Sequence, residues 1–280
     1  MTGLIDLHVH TTASDGSASP AETVRAAAAR GVTLLAICDH DTTVGIAEAQ
    51  SAAKEVGITL VPGVELSGDS ESNDIHVLGY FIDIESDELQ AALLELRESR
   101  NARNTRILAK LAELGAPVSE ERVREIAGYG SVGRPHIAAA LVEAGHVATG
   151  MEAFYRYLAR GKPAFSPRKQ LEPGHARDVI HAAGGLAALA HPIKVGSSAA
   201  VESALDAGLD AIEVYHSDHT AHQVETLLAL ARSRNLLVVG GTDSHGPHSD
   251  RPLAIGSVTI PEWVGDEVLR HAPGWWREGR

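Results

Sequence analysis

The chain has 280 residues, 44% apolar and 22% charged, an ordinary composition for a globular protein that can bury one large α/β core. Its net charge of −13 repels polyphosphate backbones and so argues against long duplex DNA as a partner. A short phosphorylated ligand stays open, because bound divalent ions would invert the local field, and the 15 histidines are the first sign of such ions.

In chain order, residues 4–9 (LIDLHV) read as a strand that runs into His8, His10 and then Asp15. SPAETVRAAAARG (19–31) reads as a helix with Ser19 as cap, Pro20 in its first turn, Glu22 closing a capping box and Gly31 at its end. TLLAIC (33–38) is a second strand, ending at His40 between Asp39 and Asp41, and a helix follows through residues 45–57. ITLVPGVEL (58–66) and IHVLGYFI (75–82) are strands three and four, carrying Glu65 and His76. From Asp87 to Arg160 the pattern turns helical and more charged, which we read as an inserted helical subdomain. Its first helix, 87–115, is long enough to expect a break. The strand–helix rhythm returns near Pro173, with strands at 186–191, 210–216 and 236–245. These end at His191, at His216 with His219 close after, and at Asp243 and His245. Seven strands joined mostly by helices predict a parallel barrel rather than an open doubly wound sheet. No G-x-G-x-x-G or P-loop follows a strand.

Cys38 is the only cysteine, so no intrachain disulfide is expected, in keeping with a reducing compartment. Asp6 and His8 interrupt the N-terminal apolar run, and no run approaches the ~20 residues of a membrane span. The expectation is a cytoplasmic protein without a membrane partner.

In a parallel barrel the C-terminal strand ends share one face, which carries the active site. Residues two apart on a strand point the same way, so His8 with His10, and Asp243 with His245, can each reach one ion. Six imidazoles and three carboxylates exceed one ion's needs, and Glu65 could bridge two. Asp41 reads as a cap for the next helix and Asp6 as a residue that orients a histidine. His216 and His219 read equally as loop histidines or substrate contacts. His146, His175, His181, His222, His248 and His271 lack strand-end context and read as surface or structural.

DLHVHTTASDG, CDHD, GVELS, HVLGY, AHP and GTDSH, in this order, resemble the PHP (polymerase and histidinol phosphatase) family of metal-dependent phosphoesterases. The resemblance implies a distorted (β/α)7 TIM-like barrel over 1–86 and 161–280 with the helical unit 87–160 inserted. It also implies two to three divalent ions of Mn, Zn or Fe. One would take His8, His10, Glu65 and Asp243; a second Glu65, His76 and His191; a third Asp15, His40 and His245. Glu65, Asp15 and His191 are the residues expected to carry catalysis, by attack of a metal-bound hydroxide on phosphorus. Cys38 stands where the family often has Thr, and is expected to pack. Arg134 and His136 match an R-x-H of the stand-alone members; with Lys194 and His219 they are the expected substrate contacts, and Arg168 and Lys169 are further candidates. Trp275 and Trp276 could stack a base, with a packed tail as the simpler reading. The implied substrates are nucleoside 3',5'-bisphosphates and 5'-phosphorylated short RNA. The competing readings are histidinol phosphate, an amidohydrolase-type reaction, and a non-catalytic metal module.

Overall fold

The computed structural model describes residues 3–70, 73–128, 132–167, 171–249 and 252–278; Arg168 and Lys169 lie outside them. Its strands are β1 (Leu4–Val9), β2 (Val32–Ile37), β3 (Thr59–Ser70), β4 (Asn73–Tyr80), β5 (Leu186–Leu189), β6 (Ala211–His216) and β7 (Leu237–Gly241). They form one sheet in sequence order, β1 to β7. The sheet curls into a nearly closed barrel: His10 N–H donates to the Ser244 carbonyl at 2.9 Å and Asp243 N–H to the His8 carbonyl at 2.8 Å across the β1–β7 seam. Leu7, Leu34, Ala36, Val61, Leu78, Ala188 and Val239 belong to one buried apolar cluster.

The expected all-parallel barrel is corrected at β4, which runs antiparallel to both β3 and β5. Only residues 71 and 72 separate β3 from β4, whereas a parallel crossover needs about a dozen residues or more. The reversal puts the start of β4, with His76 opposite Ser67, at the end where the other strands finish.

The barrel helices are α1 (Pro20–Ala29), α2 (Ile46–Val56), α7 (Pro173–Ala182), α8 (Ser198–Asp206), α9 (Ala221–Arg234), α10 (Glu262–Arg270) and α11 (Gly274–Glu278). α8, α10 and α11 escaped the sequence reading. In α1 the capping box between Ser19 and Glu22 is present, with Pro20 in the first turn. Trp276 packs edge-on against Phe81 at 4.8 Å, so its ring belongs to the core of the tail rather than to a ligand site.

Between β4 and α7 come α3 (Asp87–Glu113), α4 (Glu120–Ala127), α5 (Arg134–Glu143) and α6 (Gly150–Ala153), the last running into a π-helical turn at Phe154–Leu158. α3 is one unbroken helix of 27 residues, contrary to the expected break. Ser86 caps it, and no proline or glycine interrupts it. Its first half lays Leu89, Leu93 and Leu96 into the barrel's outer core, while Ile107 and Leu111 join a separate apolar cluster with Val123, Ile137, Leu141 and Leu158. α3 thus contributes side chains to both clusters.

At Gly241 the seam leaves no room for a side chain. A Cβ on Gly241 would lie 2.4 Å from the His8 backbone nitrogen. Gly241→Ala is expected to destabilise the fold by ~3 kcal/mol, read as a fall in Tm of about 5–10 °C. An unchanged melting curve would mean that the seam does not close this tightly.

Candidate metal centre

The open end of the barrel gathers all nine residues of the expected ligand set. Glu65 on β3 is their hub and is fully buried. Its Oε1 lies 2.7 Å from His76 Nδ1 and 2.9 Å from His191 Nε2. Its Oε2 lies 3.3 Å from His8 Nε2, 3.2 Å from His10 Nε2 and 3.1 Å from His40 Nδ1. Two groups able to hold a cation include it: one of His8, His10, Glu65 and Asp243, the other of His40, Glu65 and His76. A third, His10, Asp15, His40 and His245, adjoins them, and a fourth joins His8, Glu213 and His216. His10 serves two of them, with Nε2 3.1 Å from Asp243 and Nδ1 3.9 Å from Asp15.

Strand alternation would let Asp243 and His245 reach one ion, but they fall in different groups, the division that the family resemblance implies. β7 ends at Gly241, and Asp243 takes a left-handed φ of 55°. Its carboxylate turns to His8 and His10, while His245 Nε2 lies 3.3 Å from Asp15. His191 lies two residues beyond β5 rather than on it, with φ 24°. Asp41 also has a positive φ, 54°. Such backbone costs of order 1–3 kcal/mol per residue and persists where the surroundings over-determine it.

The carboxylates that do the over-determining are buried beside the ligands. Asp39 accepts from Thr11 N–H, Thr11 Oγ1 and Ser14 Oγ, pinning the loop that carries Asp15. Asp41 does not cap α2, whose cap is Gly45; it accepts from Ser67 N–H and Oγ and pairs with Arg100. Asp6 orients no imidazole: it accepts from Thr242 and Gly256 and from the His8 N–H, fixing the seam.

The residue that orients an imidazole is Glu213 on β6, which the sequence reading passed over. It is fully buried, accepts from His8 Nδ1 at 2.9 Å through Oε1, and takes the His191 N–H at 2.6 Å through Oε2. Alternation alone would put Glu213 and His216 on opposite faces. A register shift between Glu213 and Tyr215 brings both against His8. His216 Nε2 also lies 3.4 Å from Asp243.

The electrostatics test whether cations fit. Burial works to raise Asp15, Glu65 and Asp243, yet the histidines around them hold all three well below the usual carboxylate range. Burial works to lower His10, but hydrogen bonds and charge from Asp243 and Glu65 lift it to about 10; His8 is likewise lifted, against burial, by Glu213, Asp243 and Glu65. Burial instead takes His40 down to about 3. The ionised carboxylates therefore hold protons on His8 and His10 that a cation would displace. Buried ring nitrogens of His10, His40, His191 and His216 make no hydrogen bond, and His8 and His10 aim Nε2 at each other across 3.2 Å. This donor set of imidazoles and carboxylates fits divalent metal ions.

A cleft of about 560 Å³ opens onto the clusters, lined among others by Asp15, His136, Phe154, Lys194, Asp243 and His245. Lys194 Nζ lies 2.6 Å from Asp243 and 3.3 Å from Asp218. His136 Nδ1 accepts the Gly133 N–H, which leaves Nε2–H as its donor. Two expected contacts do not line this cleft. Arg134 lies over the Phe154 ring at 5.8 Å and donates to the Leu158 carbonyl at 3.5 Å. His219 Nδ1 donates to the Val214 carbonyl at 2.8 Å. No described helix is long and apolar enough to cross a membrane.

Residues 6–158 match the family model of the PHP domain. The chain is 38% identical over 272 residues to the 5'-3' exoribonuclease of Haemophilus influenzae, covering 94% of this chain and 99% of that protein. It is 34% identical to the 3',5'-nucleoside bisphosphate phosphatase of Chromobacterium violaceum, covering 87% of each. A Bifidobacterium adolescentis crystal structure, assigned as a metal-dependent phosphoesterase, superposes with a TM-score of 0.89 at 29% identity over 100% of this chain and 99% of that one.

Proposed function

The chain belongs to the PHP family of metal-dependent phosphoesterases, and from that premise we propose that it hydrolyses the 3'-phosphate of nucleoside 3',5'-bisphosphates and trims short 5'-phosphorylated RNA. The observation that carries this reading is the meeting of two ligand groups on the single carboxylate of Glu65, with a third sharing His10 and His40 with them, beside a cleft lined by Asp15, Asp243, His245, Lys194 and His136. Two to three divalent ions held there would supply a nucleophile usable at neutral pH and Lewis-acid stabilisation of the phosphoryl oxygens.

The chain's own residues do the rest. Glu65, Asp15 and Asp243 provide the negative charge that holds the cations, and His191, fixed through its backbone by Glu213, keeps its Nε2 on Glu65. Lys194 offers a mobile point charge to a phosphate and exchanges Asp243 for it. Burial lowers the His136 pKa, so at neutral pH the ring is an uncharged N–H donor on the cleft wall, suited to a phosphate or leaving oxygen. Arg134 braces Phe154, another cleft-lining residue. Residues 87–160 act in this reading as an inserted unit that walls the cleft.

The test is phosphate release from adenosine 3',5'-bisphosphate by Mn-loaded protein, with His8→Ala as control. Wild type is expected to yield AMP and phosphate. Chelation should abolish the reaction, and Mn added back should restore it. No release by protein shown to hold metal would overturn the bisphosphate assignment and move weight to histidinol phosphate.

A further inference from the structure

Beside the metal cleft lies a second, larger cavity of about 870 Å³. Its walls are the loop after His40, the middle of α3 and the end of α4. Ala13 lines this cavity and Thr12 lines the metal cleft, so the two volumes share the loop that carries Asp15. Pockets for small ligands run about 300–1,000 Å³. The 560 Å³ cleft therefore suffices for one nucleotide, and a mononucleotide phosphatase has no use for the second volume.

The lining has a distinct chemistry. Gln90, Arg97 and Asn101 stand at i, i+7 and i+11 of α3, a spacing that keeps them on one face of the helix. Arg124 faces them from α4, and Glu85 is the one acid among the lining residues. The balance is cationic, in a chain whose net charge is −13. Arg97 is anchored where a track from the metals would begin: it donates to the Asp41 carbonyl at 3.1 Å, next in sequence to His40. Gln90 donates to Thr43 Oγ1 at 3.0 Å, and Arg124 pairs, among the described residues, with exposed Glu120, a partner that an anion readily displaces. Ile84, Ala47 and Val44 add apolar wall for a sugar or base.

We propose that this cavity is the subsite for the second and third nucleotides of a short single-stranded RNA, with Arg97 and Arg124 on a phosphodiester and Asn101 on ribose or base. The proposal rests on the phosphoesterase reading above. It makes the enzyme's choice between bisphosphate and RNA a property of a cavity apart from the metals.

The experiment compares wild type with Asn101→Ala/Arg124→Ala and with Arg97→Ala, on adenosine 3',5'-bisphosphate and on a 5'-phosphorylated pentaribonucleotide. Both substitutions of the double variant are exposed, so its folding is not in question. Loss of one charge-assisted hydrogen bond should lower kcat/KM for the pentamer by about tenfold to a hundredfold through KM, with the bisphosphate reaction unchanged in the double variant. Anisotropy of a labelled pentamer on chelated protein reads the same loss without turnover. Equal losses on both substrates, or none on the pentamer, would overturn the subsite. Wild type that hydrolyses the bisphosphate but neither binds nor cleaves the pentamer would overturn it too, leaving the phosphoesterase reading intact. If the bisphosphate reaction itself fails, that reading falls, and the binding arm still decides the cavity.

Discussion

Glu65→Gln is expected to abolish turnover, by about a thousandfold or more, without unfolding the protein. Glu65 is fully buried and lies within 3.3 Å of five imidazoles, more than any other carboxylate in the site. An amide keeps the shape but loses the charge, and its NH2 must face ring nitrogens on one side. Losing a carboxylate that two groups of candidate ligands share would remove several kcal/mol of transition-state stabilisation if metals are held there, and ~4 kcal/mol corresponds to about a thousandfold. The fold should persist because Val64 and Leu66 on either side are buried in the outer core, and the β3 ladder does not involve the side chain. The checks are kcat on adenosine 3',5'-bisphosphate, bound metal per chain and a melting curve. Full activity in the folded variant would remove Glu65 from the centre of the mechanism.

Why some of this was legible in the sequence and some was not has physical causes. His8 and His10 are visible because a two-residue spacing on a strand has one meaning, both side chains on one face. The barrel was legible from the recurrence of short apolar runs ending in histidine or carboxylate. The reversal of β4 was not, because alternation is blind to chain direction; the available signal was the gap of residues 67–74 between the expected strands, shorter than the dozen or so that a parallel crossover needs. The separation of Asp243 from His245 was implied by the family resemblance but not by spacing, because it depends on one left-handed residue, and nothing in GTDSH announces a positive φ at an aspartate. Asp41 read as a cap because Asp before a helix usually caps it; its partner Arg100 lies 59 residues away on α3. The second cavity requires knowing that α3 is unbroken, which places Gln90 and Asn101 on one rigid face.

Glu213 was missed for a related reason, and it carries the second large expected effect. A single glutamate inside the strand AIEVYH breaks no pattern, because charged residues decorate many strand faces. Here the carboxylate is fully buried with two jobs: one oxygen on His8 Nδ1, the other on the His191 N–H. Burial works to raise its pKa, yet His8 and His216 pull it down to about 2, so it is ionised at any working pH. An ionised carboxylate on Nδ1–H makes the opposite nitrogen of His8 a stronger ligand and fixes the ring. Glu213→Gln keeps one oxygen but turns an NH2 toward the other donor, so one of the two bonds becomes a repulsion. The expected result is metal affinity lower by about tenfold to a hundredfold, measured by titrating chelated protein with Mn. Activity should return toward wild type as Mn is raised, which Glu65→Gln should not allow. If Glu213→Gln binds Mn like wild type but turns over slowly at saturating metal, Glu213 acts on the substrate side instead, and the arrangement of His8 and His191 does not depend on it.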